Sequence, residues 1–363
     1  MAVLLPKIDL WQALQADPRP KLIYGMGDGA DKLISRLEAC GISYSDVFAS
    51  DEFVRGQLFH GKKVITLAEA EARYGDFIVL VSFATRLPEV IDRICHIAER
   101  HTLYVPDMPV YGEAYFDLPF CQSYAKEMQE VTELWADDRS KEIYALSVES
   151  KLSGSLSALL SSSDALRASF SLLPLNRFKV TVDAGAYRGD TAEELLSIAP
   201  TVEKMIAIEP DPHTFLRLSR YAEGEERAEV LPVNAAAWSQ KETLSFFGKG
   251  NRGSHAKGKG KVTEVSGMPI DDLCRALCPN QTIDYLKFDV EGAELQALQG
   301  ARETILTHRP AILLSLYHKA EDLFVLPLAL KELCPNYDFY LRRERCLPLW
   351  EVNLLAVPRE KSL

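Results

Sequence analysis

The sequence lacks the features that mark membrane-spanning, secreted and nucleic-acid-binding proteins. No apolar run reaches the roughly 18–20 residues that a membrane-spanning helix requires. The first ten residues carry Lys7 and Asp9 and contain no signal-peptide core. A net charge of −11 gives no general basic excess for binding nucleic acid or anionic lipid. We therefore expect a cytoplasmic protein with neither nucleic acid nor a membrane as a partner.

Paired cysteines are also missing. The seven cysteines are dispersed and contain no Cys-x-x-Cys pair, which argues against a disulfide framework or a zinc ribbon. Cys274 and Cys278 lie one helical turn apart, and we interpret them as two core thiols rather than as a metal pair. The sequence therefore predicts no cysteine-based metal site.

Residues 1–120 alternate short apolar segments with amphipathic ones, a pattern that predicts a parallel doubly wound sheet. After the first predicted strand, Gly25-x-Gly27-x-x-Ala30 matches a form of the dinucleotide-binding fingerprint, and Asp51 ends the second predicted strand. Two interpretations stay open. The turn binds a phosphate-bearing ligand, such as a nucleotide sugar, or its glycines only shape the turn. Asp28 and Asp31 weigh against an anion at this helix end.

Near the middle of the chain, an apolar segment ends in an acid and two spaced glycines. Val180-Thr181-Val182 runs into Asp183, Gly185 and Gly189. A strand that ends in such a turn and opens a helix brings backbone close to a ligand. The spacing is not that of dinucleotide enzymes, and it is similar to the cofactor turn of class I methyltransferases.

Two further segments complete a recognisable order. Ile206-Ala207-Ile208 ends in Glu209 and Pro210, and Ile283–Phe288 ends in Asp289-Val290-Glu291-Gly292-Ala293-Glu294. With Asn234-Ala235-Ala236 between them, these pieces resemble the FkbM-type methyltransferases, from roughly Trp135 to Pro358. The resemblance implies a class I methyltransferase that uses S-adenosyl-L-methionine (SAM).

The expected architecture is α/β, with two Rossmann-like domains. We place an amino-terminal domain at residues 1–120, a helical connector at 121–175 and a methyltransferase domain at 176–363. The last domain is expected to have a seven-stranded sheet with an inserted hairpin, formed by Thr243–Phe247, the loop Gly248–Lys261 and Val262–Val265. The loop is either a solvated hairpin tip or a mobile lid over the substrate.

The resemblance also assigns cofactor-binding residues. Asp183 would orient the ammonium group of SAM, and the turn containing Gly185, Ala186 and Gly189 would approach the cofactor. Glu209, next to Pro210, would accept both ribose hydroxyls. Asn234 and Ala235 would border the adenine. The further cofactor-contacting residue is Asp289.

Three residues are candidates for the chemical step: Asp289, Glu291 and His318. Methyl transfer to an alcohol needs a group that accepts the hydroxyl proton. His318 is one candidate for this base, and Asp289 is another. Alternatively, Asp289 and Glu291 hold a divalent metal that acidifies the hydroxyl, although nothing in the spacing requires one.

The function expected from these observations is O-methylation of a hydroxylated small-molecule or glycan acceptor, such as a sugar or nucleotide sugar. Two alternatives remain. One is a nucleotide-sugar-binding protein that uses the methyltransferase sheet as a scaffold. The other is a nicotinamide-dependent oxidoreductase that uses the amino-terminal domain. A homo-oligomer is compatible with the sequence.

Overall fold

A computed structural model describes residues 5–165, 167–247 and 262–361. Two main sheets, one parallel and one mixed, are joined by a helical segment. The predicted loop Gly248–Lys261 lies outside the described residues. Among the described helices, none is both long and apolar enough to cross a membrane.

The first unit contains a four-stranded parallel sheet in the order β2-β1-β5-β6. Its elements are α1 (Leu10–Ala16), β1 (Lys21–Tyr24), α2 (Asp28–Ala39), β2 (Asp46–Phe48), β3 (Leu58–Phe59), β4 (Lys62–Lys63), α3 (Leu67–Tyr74), β5 (Ile78–Val81), α4 (Pro88–Ala98) and β6 (Thr102–Tyr104). The strands β1, β2 and β5 are buried along their whole length, as expected of a parallel sheet covered on both faces. The second strand ends before Asp51, which instead begins a 3₁₀ turn.

Four helices follow the first sheet. They are α5 (Leu118–Ser123), α6 (Ala125–Thr132), α7 (Asp138–Ser153) and α8 (Leu156–Ser161). The helix α7 begins where the Asp137 carboxylate accepts the Ser140 N–H, and it ends at Gly154 in the left-handed conformation. It packs against β15 (Tyr337–Arg343), so the helical segment is anchored to the second sheet.

The second unit confirms the predicted seven-stranded sheet, in the order β15-β16-β14-β13-β7-β8-β9. Its other elements are β7 (Val180–Ala184), α9 (Asp190–Ile198), β8 (Lys204–Ile208), α10 (Pro212–Gly224), β9 (Glu229–Val233), β10 (Ala236–Ala237), β11 (Glu242–Phe247), β12 (Val262–Met268), α11 (Ile270–Leu277), β13 (Tyr285–Phe288), α12 (Glu294–Gly300), α13 (Arg302–His308), β14 (Ala311–Ser315), α14 (Asp322–Leu333) and β16 (Val352–Pro358).

The strand directions in this sheet identify the edge at which a ligand is expected to bind. Five neighbouring strands, β14, β13, β7, β8 and β9, are parallel, and β16 runs antiparallel between β14 and β15. The chain moves to opposite sides of β7 when it forms β8 and β13, which makes the β7–β13 pair a topological switch point. Ligands of such sheets bind outside the carboxyl ends of the strands at this point.

The predicted insertion is present as the antiparallel pair β11–β12, between β9 and β13. It joins the short strand β10 in a separate three-stranded sheet. Gly267 in β12 is the register partner of Glu242 and Ala236, and it lies against the Trp238 side chain. The strands of the hairpin therefore agree with the prediction.

The two units contact each other beside the carboxyl edge of the second sheet. Thr85, in the loop after β5, exchanges two backbone hydrogen bonds with Leu347, at 2.8 and 3.0 Å. The Tyr111 N–H donates to the His318 carbonyl at 2.8 Å. Backbone of the first unit is therefore fixed close to the loops that follow β14 and β15.

Candidate functional site

A cavity of about 870 Å³ opens at the carboxyl edge of the second sheet. Such a volume lies toward the upper end of ordinary small-ligand sites. Three acids lie at its wall, each directly at the end of a strand. They are Asp183 in β7, Glu209 after β8 and Asp289 after β13. The cavity therefore occupies the switch point of the sheet.

The Gly185 turn forms one side of the cavity by close backbone approach. Gly185 has a φ of +86°, in the region that favours glycine. A Cβ at this position would lie 1.8 Å from the Asp289 carbonyl oxygen. The turns after β7 and β13 therefore touch through backbone, and only glycine permits this contact.

Glu209 is a buried carboxylate held by backbone donors. Its two oxygens accept the N–H groups of Tyr187 at 3.1 Å and Asp211 at 2.8 Å. Burial raises the pKa of its carboxyl to about 7, although the Asp211 N–H partly opposes the shift. Each oxygen keeps a lone pair for a further donor, which suits a ligand with two adjacent hydroxyl groups.

Asp183 already has partners on both of its oxygens. One accepts the Thr191 hydroxyl, and the other accepts the Lys287 ammonium at 3.0 Å. Burial alone would lower the pKa of Lys287, but Asp183 and Asp289 raise it above its usual value. The carboxylate that was expected to orient the ammonium of SAM is therefore part of a buried ion pair with a lysine of the protein.

Asp289 presents its carboxylate to the cavity next to cationic and hydroxyl groups. The Tyr317 hydroxyl donates to it at 3.2 Å, and the Lys287 ammonium lies 3.7 Å away. Burial alone would raise the pKa of Asp289, but Lys287 and His318 together lower it below its usual value. The carboxylate is therefore ionised at neutral pH and can accept a hydrogen bond from a hydroxyl.

His318, one of the predicted candidates for the base, lies behind the cavity wall. Its side chain is 1 % exposed and does not line the cavity, and its Nδ1 lies 2.9 Å from the Glu294 carboxylate. Burial alone would lower the pKa of this imidazole, but Glu294, Asp289 and Glu291 raise it to about 10. At neutral pH the ring is protonated and cannot accept a second proton. It acts instead as a buried cation behind Asp289 and Glu291.

Four residues predicted to contact a cofactor do not line the cavity formed by the described residues. They are Ala186, Gly189, Asn234 and Ala235. Asn234 is exposed, and its amide donates to the carbonyl oxygens of Glu209 and Pro210, so it supports the turn after β8. Gly189 begins α9, where a Cβ would lie 2.5 Å from the Tyr221 ring. These residues shape the site from behind, whereas Gly185, Pro210 and Glu291 reach the cavity wall.

One group of three ligand-type side chains lies close together behind the cavity wall. Within the described residues, the three ligand-type side chains that come within 4.8 Å of one another are Glu294, His318 and Asp322. All three are buried, and Glu294 accepts the Val290 N–H at 2.9 Å. Asp289 and Glu291, the pair expected to hold a metal, are not members of this group of three, and both line the cavity.

Sequence reasoning missed several residues at the cavity wall. They are Lys287, Tyr317, Trp238, Trp350 and, from the first unit, Arg86, Val110 and Tyr111. Lys287 could have been recognised from the sequence, because it is a charged residue within the otherwise apolar segment 285–288. Nothing in the local sequence shows that Arg86 and Tyr111 reach the second unit, because those contacts arise only from the packing of the two units.

The comparisons with known proteins agree with this geometry. A family model, described as the methyltransferase FkbM domain, matches residues 183–342. The chain is similar to a methyltransferase FkbM from Methylobacillus flagellatus KT, at 20 % identity and a TM-score of 0.67, over 96 % of this chain and 97 % of that one. No curated protein sequence matches.

Other solved structures share less of the fold. An Aeropyrum pernix fibrillarin with natively bound SAM has 14 % identity and a TM-score of 0.34, over 51 % of this chain and 69 % of that one. A Podospora anserina methyltransferase bound to S-adenosylhomocysteine (SAH) has 14 % identity and a TM-score of 0.30, over 68 % and 99 %.

The matched segment begins at Asp183 and includes Glu209, Asp289 and His318, and the sheet that carries them has the order expected of a class I methyltransferase. Over residues 183–342, the chain therefore matches the methyltransferase FkbM domain.

Proposed function

We propose that this methyltransferase uses SAM and transfers the methyl group to a hydroxyl of an acceptor, which we take to be a sugar, nucleotide sugar or glycan. The observation that carries the cofactor assignment is Glu209. Its buried carboxylate faces the cavity at the end of the strand next to the one that Gly185 follows, with a lone pair left on each oxygen. Two such lone pairs match the two hydroxyls of an adenosyl ribose.

The residues around Asp289 suit an alcohol as the methyl acceptor. SAM supplies an electrophilic methyl group when it is bound. Asp289 is ionised, lines the cavity and already accepts the Tyr317 hydroxyl, so it can accept the proton of an attacking hydroxyl. His318, as a buried cation, steadies the charge of Asp289 from behind.

The size and lining of the cavity support an acceptor site shared by both units. At about 870 Å³ the cavity has room for an acceptor beside an adenosyl group. The wall includes Arg86 and Tyr111 of the first unit, and Arg86 is ion-paired with Glu351 of the second. We propose that the first unit contributes to acceptor binding through these residues.

The nicotinamide alternative draws less support from the geometry. Gly25, Gly27 and Ala30 do not line the cavity that the described residues form. A Cβ on Gly25 would lie 2.5 Å from the Phe83 ring, so that turn packs against its own unit. Packing thus explains Gly25, and the φ of +102° at Gly27 explains the second glycine.

Calorimetric titration of the full chain with SAM, SAH, NAD and a uridine diphosphate sugar tests the cofactor assignment. We expect SAM and SAH to bind and NAD not to bind. A coupled assay for SAH release, run with a panel of free sugars, nucleotide sugars and glycans, then tests the acceptor class. Binding of NAD without SAH would refute the proposal.

A further inference from the structure

The strand β13 carries a lysine in a position where burial is costly. Lys287 lies between buried Leu286 and Phe288, and only 9 % of the residue is exposed. Because side chains alternate along a strand, Lys287 points to the same face as Asp289. An isolated ammonium at such a depth would be unfavourable. The chain retains it at the cavity wall, which calls for a specific role.

The hydrogen bonds of Lys287 account for part of that role. Its ammonium donates to Asp183 at 3.0 Å and to the Gly185 carbonyl at 3.3 Å. The Asp289 carboxylate, at 3.7 Å, is beyond hydrogen-bond distance. A lysine ammonium has three donors, so one N–H has no hydrogen-bond partner within the described residues.

The partners of Asp183 change its expected role. Both carboxylate oxygens are engaged, by Thr191 and by Lys287. Its charge is therefore neutralised by a lysine of the protein and is not free to pair fully with an ammonium from a ligand. Asp183 instead holds Lys287 against the Gly185 turn.

From this arrangement we infer that Lys287 binds the carboxylate of the amino-acid end of SAM and SAH, with its third N–H as the donor. The inference rests on the proposed function. The sequence predicted that a protein carboxylate contacts the ligand ammonium here. The inference is the opposite arrangement, in which a protein ammonium contacts the ligand carboxylate. Asp289, 3.7 Å from Lys287, remains available to the ligand ammonium or to the acceptor.

Three adenosyl ligands separate the possible contacts by calorimetry. SAH has both the carboxylate and the ammonium, decarboxylated SAH has only the ammonium, and 5′-methylthioadenosine has neither. We expect the wild-type protein to bind SAH about tenfold or more tightly than decarboxylated SAH, because a charge-assisted hydrogen bond is lost. In Lys287→Met this preference should fall to a ratio of about one, while 5′-methylthioadenosine binds as in the wild type.

Removing Lys287 alone leaves Asp183 buried without its cation, which can unfold the protein. The double variant Asp183→Asn/Lys287→Met removes both charges and keeps the test possible. The ratio of two affinities within one sample does not depend on the folded fraction. Lys204→Met is the matched control. Lys204 begins β8, at the end of that strand away from the cavity, and it pairs with Glu229 at 3.1 Å.

The outcomes are distinct. A preference for SAH that persists in both Lys287 variants overturns the inference and leaves the proposed function intact. Failure of the wild-type protein to bind any of the three ligands refutes the proposed function itself. Loss of the preference in the Lys287 variants, with Lys204→Met unchanged, supports the contact.

Discussion

The two sheets carry similar glycine turns after their first strands, and within the described residues the second turn lines the large cavity whereas the first does not line it. In both, the turn lies at a switch point, between β1 and β5 in the first sheet and between β7 and β13 in the second. At the first, the Phe83 ring lies edge-on to Tyr24 and would meet a Cβ on Gly25. At the second, backbone meets backbone at Gly185 and leaves the side chains of Lys287 and Asp289 at the cavity wall.

This difference shows that a glycine pattern indicates where the backbone lies close to a neighbouring group, and does not indicate whether a ligand binds there. Gly29 illustrates the point, since a Cβ there would lie 2.1 Å from the Ser82 carbonyl oxygen. Helix α2 therefore packs closely on the loop after β5. The acid that follows the second strand of each sheet distinguishes the two units more clearly than the glycines do. Glu209 is buried and faces the cavity, whereas Asp51 is exposed.

The largest expected difference is between Glu209→Ala and Asp51→Ala. Loss of two hydrogen bonds to a charged acceptor should weaken SAH binding by about 2–4 kcal/mol in Glu209→Ala. Asp51→Ala should leave it unchanged. Calorimetric titration with SAH measures both affinities. An equal loss of SAH affinity in the two variants would show that the acid of the second unit has no special role in cofactor binding.

Replacing Asp289 tests the chemical step of the second unit. We expect Asp289→Asn to lower kcat by roughly 10²-fold or more, the usual contribution of a positioned acid–base group. Asp28→Asn, in the exposed first turn of α2, serves as the control. The measurement is SAH release under saturating SAM. Full turnover in Asp289→Asn would exclude this carboxylate as a required group.

The pKa of Glu209 predicts a pH dependence that the first unit cannot produce. The ionised carboxylate accepts both ribose hydroxyls, so SAH affinity should fall as the pH drops through about 7. For one group with this pKa, the loss between pH 8 and pH 6 is about tenfold. Titrations of the wild-type protein and Glu209→Gln across this range provide the check. A pH-dependent loss that persists in Glu209→Gln would assign it to another group.

The smallest expected effect on binding is that of Gly29→Ala. The added Cβ should lower the free energy of unfolding by about 1–3 kcal/mol through overpacking against Ser82, while SAH affinity stays the same. Gly185→Ala, by contrast, should impair both properties. Thermal unfolding and titration of the two variants separate stability from binding. A loss of SAH affinity in Gly29→Ala would show that the first turn also serves the cavity.

Local patterns were sufficient for much of the second unit. Apolar segments predicted its seven strands, and the acids Asp183, Glu209 and Asp289 lie at the strand ends where they were expected. The partners of these acids were not predictable. The Lys287–Asp183 pair joins residues 104 positions apart, and only the β7–β13 register brings them together.

Two of the predicted site residues do not line the cavity, and the cause is physical. His318 and Asn234 have side chains that could bind a ligand, but their neighbours in space use them otherwise. His318 is enclosed by carboxylates, and Asn234 bonds the backbone after β8. Burial and partner choice depend on the whole fold, which a segment of sequence does not report.

The Tyr111 contact changes how this chain should be divided in protein engineering. A Cβ on Gly292 would lie 2.8 Å from the Tyr111 ring, and the Tyr111 N–H is bonded to His318. A chimera that exchanges residues 1–120 would therefore remove part of the cavity wall along with the first sheet. The part that can be exchanged ends near Val105, just after β6. The segment that carries Val110 and Tyr111 should be kept together with the methyltransferase sheet.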